Sequence, residues 1–188
     1  MRDIVQQRVS QFLAGEFTTD ESYYQRQHQE VSQLVKALEQ LTKRKIAWEP
    51  PIEVFGFYHL QLPVDVNLDV QLYGKTIDEL EQLVDEQRST GFLHLLISFV
   101  GKCVCTYWQR FFAPELQETI STEATCQDAV EEELFEQVQQ KLEEHGWLWL
   151  PPAEAAEPVP EAPPPWPNKE GQSLVRHILF PGCGPLID

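Results

Sequence analysis

FLHLLISFVGKCVCTYWQRFF, residues 92–112, is the stretch on which the fold turns. Two apolar runs rich in aromatic and β-branched residues flank Gly101-Lys102, a dipeptide suited to a tight hairpin turn with glycine first. The expectation is an antiparallel hairpin in which position 100 faces 103, so that paired residue numbers sum to 203. Alternation along each strand then sorts the side chains into two faces. One carries Leu93, Leu95, Ile97, Phe99, Val104, Thr106, Trp108 and Phe112, a core surface. The other carries Phe92, His94, Leu96, Ser98, Val100, Cys103, Cys105, Tyr107 and Phe111, and is also too apolar for water, so helices or a partner must cover it.

Upstream of the hairpin the period is again two. Ile52, Val54, Gly56, Tyr58, Leu60 and Leu62 share one parity, and Val64, Val66, Leu68, Val70 and Leu72 continue it through Pro63, with Asp65, Asn67, Asp69 and Gln71 opposite. Two strands bent at Pro63 near a sheet edge are expected. Thr76-Ile77-Asp78-Glu79 is a capping box that opens a helix ending near Gly91. Before Pro50-Pro51 the period is helical. A short helix over 3–14 precedes a long one, which starts at Thr18 or Thr19 and carries Val31, Leu34, Val35, Leu38 and Leu41 on one stripe, with Lys43, Arg44 and Lys45 complementing its C-terminus. Tyr24, Val31 and Leu38 fall on a heptad seam, which Gln27 and Lys45 interrupt; packing on the chain's own sheet is expected ahead of pairing with a second copy.

Downstream, a helix is expected to be capped at Thr125, with Val130, Leu134, Val138 and Leu142 facing inward beside Phe135, and to end at His145-Gly146. Glu131, Glu132, Glu133, Glu136, Glu143 and Glu144 are left pointing outward. Trp147-Leu148-Trp149-Leu150 follows. Eight prolines in the seventeen positions 151–167 exclude regular helix or sheet and predict an extended loop, and Ser173–Phe180 resembles a final strand. The expected architecture is one α+β domain, a mostly antiparallel sheet with helices on it: a helical part over 1–48, sheet and helices over 52–150, a Pro-rich loop over 151–167, and a C-terminal strand and tail over 168–188.

The formal net charge of −16 is distributed unevenly. Residues 1–50 balance seven Lys/Arg against seven Asp/Glu, whereas residues 114–150 hold ten acids and Lys141 alone as a base. Such a field disfavours nucleic acid and anionic membrane, and attracts a basic partner. No apolar run reaches the ~20 residues of a membrane span, and MRDIVQQRVSQF lacks the apolar stretch of a signal peptide. A cytoplasmic protein with reduced thiols is expected, since Cys103, Cys105, Cys126 and Cys183 follow no disulfide-framework spacing.

Chemistry-bearing patterns are sparse. Cys103-x-Cys105 lacks a second ligand pair for zinc, and under the 203 pairing His94 lies opposite Gln109, about 13 Å from Cys105 and beyond reach of a dyad. Asp65, Asn67 and Asp69 offer oxygens on a strand that needs a neighbour before they converge on a cation. Cys183 has only His177 nearby, and His28 and His59 fit partly buried structural roles. There is no phosphate loop, no His-Glu-x-x-His and no Gly-x-Ser-x-Gly, so neither metal, cofactor nor catalytic residue is assigned and the chain is expected to be a non-enzyme.

In composition the chain resembles small acidic bacterial immunity or inhibitor proteins, which neutralise basic toxin domains. That resemblance, with the charge pattern, predicts a binding module that docks a basic protein through Glu131, Glu132, Glu133, Glu136, Glu143 and Glu144, with Trp147 and Trp149 as aromatic anchors. The competing expectations are a self-associating scaffold built on the long helix and the doubly apolar hairpin, hence a possible homo-oligomer, and an enzyme of unrecognised type.

Overall fold

A computed structural model describes residues 2–16, 21–49, 56–64, 90–98, 101–111, 120–162 and 173–180. In chain order the elements are α1 (Asp3–Leu13), α2 (Glu21–Thr42), β1 (Ala47–Glu49), β2 (Phe57–Pro63), β3 (Thr90–Ser98), β4 (Cys103–Phe111), β5 (Ile120–Glu123), α3 (Ala129–Glu144), β6 (Leu148–Trp149), α4 (Pro152–Ala155) and α5 (Val175–Leu179). The strands form one sheet in the order β1-β2-β3-β4-β5, antiparallel throughout, with β6 added parallel to β4. The fold is thus α+β with a mostly antiparallel sheet, as expected, and among the described residues the buried apolar side chains, Phe92 apart, join in one core.

The β3–β4 hairpin forms, but its pairs sum to 201: Leu93 faces Trp108, His94 faces Tyr107 and Ile97 faces Val104. The expected register is therefore corrected by two residues. Gly101 and Lys102, immediately before β4, both have positive φ, 75° and 52°, so the chain enters the strand through two left-handed residues. Because side chains alternate with period two, a shift of two leaves both faces intact.

The first face is covered by α2 and α3. Val31, Leu34 and Leu38 of α2 are fully buried, which closes the central positions of the heptad seam within the chain. His28 of α2 packs on Tyr58 of β2 and Trp48 of β1, with ring centroids 6.1 and 5.2 Å away. Arg44, just past α2, donates from Nη1 to the Thr42 carbonyl (2.9 Å) and from Nη2 to the Val64 carbonyl (2.9 Å), so this member of the basic cluster is spent on the helix end and on the residue after β2. At the turn end of the second face, Ser98 donates to the Leu179 carbonyl of α5, α1 packs on α5, and the Arg8 chain of α1 lies against Gly101.

Several local expectations are corrected. Ala47 and Trp48, placed in the N-terminal helical part, form β1 together with Glu49, and Trp48 pairs with Leu60. β3 already begins at Thr90, so a helix cannot reach Gly91. Gly91 is required there: a Cβ would lie 2.5 Å from the Gln109 carbonyl oxygen. The segment read as a strand over 173–180 is the short helix α5, with Val175, Ile178 and Leu179 at helical spacing in the core. Pro152–Ala155 forms one helical turn, since proline is tolerated in a first turn, and Pro158 bridges to Leu174; both depart from the expected extended loop. The proposed cap at Thr18, the Asp65–Asp69 strand, the helix from Thr76 and Cys183 lie outside the described residues.

Candidate functional site

Helix α3 carries most of the residues expected to bind a partner. Its N-cap is Asp128, not Thr125: Asp128 Oδ1 accepts from the backbone N–H of Val130 and of Glu131, both at 2.9 Å. The helix starts one turn later than expected, which changes what its first turn presents. Val130, expected in the core, is 55% exposed, and Glu131, expected in water, is 4% exposed.

Glu131 is buried because β4 delivers a guanidinium to it. Arg110 shares the strand parity of Thr106 and Trp108 on the core face, where a cation must be met by charge. It donates to Glu131 through Nε to Oε1 (2.9 Å) and Nη2 to Oε2 (2.6 Å), a two-point fork, and Nη2 also reaches the Thr125 carbonyl (2.8 Å). Glu131 Oε2 in turn accepts from the Gln127 backbone N–H (2.8 Å). Glu131 is a structural lock and is withdrawn from the exposed face of α3.

Leu134, Val138 and Leu142 hold the remaining turns to the core, leaving Glu132, Glu133, Glu136, Glu143 and Glu144 exposed. Glu132, Glu136, Gln140 and Glu143 follow one another along a stripe of about 16 Å at 1.5 Å per residue. Glu133 and Glu143 accept from Gln137 and Gln139 on the helix itself, at 3.2 and 3.3 Å. Glu144 pairs with Lys141, whose ammonium holds its carboxyl below the usual carboxylate range. Among the described residues no Lys or Arg forms an ion pair with Glu132, Glu133, Glu136 or Glu143.

The two expected aromatic anchors separate. Trp147 is 3% exposed and lies in the core beneath the Lys102 ammonium, 5.5 Å from its ring centroid, so it presents no docking surface. Trp149 is half-buried, edge-on to Phe135, and donates from Nε1 to Thr106 Oγ1 at 3.1 Å. It borders α3 and keeps part of its ring accessible.

The second face of the sheet holds a polar cluster that motif reading passed over. Register places His59 opposite Leu96, Gln61 opposite His94, His94 opposite Tyr107 and Phe92 opposite Gln109, all on one face of β2, β3 and β4. His59 Nε2 lies 2.7 Å from His94 Nδ1, and His94 Nε2 lies 3.1 Å from Gln109 Oε1. Tyr107 stacks on His94 at 4.4 Å and 11°, and its hydroxyl is 3.3 Å from His59 Nε2. Burial pushes His94 down to about 3, reinforced by His59, and lowers His59 as well. Both rings are neutral at pH 7.

The corrected register brings His94 diagonal to Cys105, closer than expected, yet its two nitrogens are taken by His59 and Gln109. Cys103 is buried, donates to the Gly101 carbonyl, and has its thiol pushed up to about 11 by that burial, so it is not a thiolate. His177 accepts from the Leu174 N–H through Nδ1 and caps α5. Among the described residues no group of three or more His, Cys, Asp or Glu gathers as a metal site, and no helix is long and apolar enough to cross a membrane.

No family model, curated protein or solved structure matches this chain.

Proposed function

We propose that the protein is an acidic binding module of the immunity or inhibitor kind, acting in the cytoplasm to neutralise a basic protein through the outer face of α3. The observation that carries this reading is the stripe Glu132, Glu136 and Glu143, flanked by Glu133, on a helix pinned by Leu134, Val138, Leu142 and the Arg110–Glu131 fork. Holding these carboxylates on a rigid helix spares a basic partner the entropic cost of ordering them. Among the described residues no cation pairs with them, and a field of that kind steers a positive surface. Trp149 at the border supplies an aromatic contact.

The test is affinity capture from the native cell extract with the wild type and with the triple variant Glu132→Lys, Glu136→Lys, Glu143→Lys, washed at low and then high salt. The reading predicts a basic protein retained stoichiometrically by the wild type at low salt, released by salt, and absent from the variant. A partner retained equally by both proteins contradicts it. So does the lack of any partner at low salt.

A further inference from the structure

The hydrogen-bond directions in the second-face cluster follow from one fixed end. Gln109 Oε1 is a carbonyl oxygen and only accepts, so His94 carries its proton on Nε2 and donates to it. His94 Nδ1 is then a bare acceptor, and the proton between the two rings belongs to His59 Nε2. A neutral imidazole holds one N–H, which leaves the lone pair of His59 on Nδ1. His59 is half-buried, and among the described residues nothing donates to that nitrogen. Gln61, also half-buried, is two residues along the same strand on the same face, and Gln109 is half-buried in the next row.

We infer that His59 Nδ1 is the proton-accepting atom of a second site, independent of α3, with His94 and Gln109 as positioning residues, and that the site takes a neutral molecule presenting an O–H or N–H group. The arrangement follows the logic of a base oriented by a second group that fixes its tautomer. Here the orienting group is a neutral imidazole in place of a carboxylate. Among the described residues the groups that share the surroundings of His59 are His94 on β3 and Tyr107 on β4. A cationic ligand is disfavoured by the burial that disfavours imidazolium, and an anionic one by the net charge of −16. Tyr107, nearly fully buried, stacks beside both imidazoles, its ring centroid 4.4 Å from that of His94 and 6.4 Å from that of His59.

The test is ¹⁵N-resolved imidazole NMR of the full chain at pH 7.5. The wild type is expected to show His59 and His94 both as Nε2–H tautomers, with His59 Nδ1 bare. A proton on His59 Nδ1 overturns the inference without any variant being made. Gln109→Leu removes the fixed end and is expected to move the His59 tautomer ratio toward Nδ1–H by roughly fivefold, the value of one net hydrogen bond. Acylation of His59 by diethyl pyrocarbonate, in which Nδ1 bonds to the reagent's carbonyl carbon, ethyl carbonate leaves and the Nε2 proton is released to solvent, should slow by a similar factor. Gln109→Glu keeps an acceptor and should retain the wild-type tautomer; loss of it in both variants contradicts the positioning role. Phenol is expected to shift the His59 Nδ1 resonance and anisole, which lacks the O–H, is not; equal responses to the two overturn the ligand class. None of these readouts depends on a protein partner.

Discussion

Arg110 and Glu131 stabilise the structure only as a pair. With both side chains nearly dry, removing one partner strands the other charge in the core, which costs about 3–5 kcal/mol, whereas replacing both with apolar groups is often close to neutral. Glu131→Ala should therefore lower the urea midpoint sharply, Glu132→Ala should leave it within about 0.5 kcal/mol of wild type, and Arg110→Met with Glu131→Leu should recover most of the loss. Equal effects of Glu131→Ala and Glu132→Ala would show that no lock exists. His94 behaves differently because its stability contribution lies in staying neutral. Its folded value, about 3, is below the ordinary 6.5, so the folded state resists a proton that the unfolded chain takes up. That contribution is complete above pH 6.5 and is lost as pH falls toward 3, at up to ~1.4 kcal/mol per pH unit. Carboxylates titrate in the same range, so the measurement is the difference between wild type and His94→Gln, which should lose less stability than wild type between pH 6.5 and 4. The sequence carried a signal for Arg110, since its parity puts it beside Trp108 in the core, and a buried guanidinium calls for a carboxylate. It carried none for which glutamate answers, because that depends on where α3 begins.

At the scale of elements, the start of α3 was decided between two competent caps. Thr125 and Asp128 both precede the apolar run, and local propensity alone does not separate them. With Asp128 as the cap, Glu131 falls at the third helical position, where it meets Arg110, so tertiary pairing selects the later start. Asp128→Ala should cost about 1 kcal/mol in denaturant unfolding; no loss would mean that Thr125 serves equally well. The triple charge reversal at Glu132, Glu136 and Glu143 should change the thermal midpoint little, since those side chains are exposed and, among the described residues, form no ion pair. A large drop would make them structural. The hairpin was legible in its faces and not in its turn: alternation is insensitive to a two-residue shift, whereas the connection depends on backbone angles at Gly101 and Lys102. α5 was misread as a strand because an apolar run as short as Val175–Phe180 satisfies both periods, and the core accepted it as helix. β1 escaped because three residues carry too little pattern to register.

At the scale of the whole molecule, the sheet has two unlike faces. Its first face is sealed by α2 and α3, and the seal is what presents the acidic stripe outward; its second face is apolar near the turn, under α1 and α5, and polar where His59, His94 and Gln109 align. The charge asymmetry of the chain was readable directly from composition, and the row of carboxylates on α3 follows from it once the helix is placed. The histidine cluster was only partly readable: the expected register already set His94 opposite Gln109, but His59 reaches them through the pairing of β2 with β3, which no pattern in the sequence fixed. The account rests most heavily on the acidic stripe acting through its field. The most direct test is the association rate constant of the captured basic partner with the wild type and with the Glu132→Lys, Glu136→Lys, Glu143→Lys variant, from low ionic strength to about 0.15 M, where the screening length is ~8 Å. A wild-type rate that falls steeply with salt, and a variant rate that is slow at low salt and nearly flat, is the predicted result. Rates that are equal for the two proteins at low salt would contradict it.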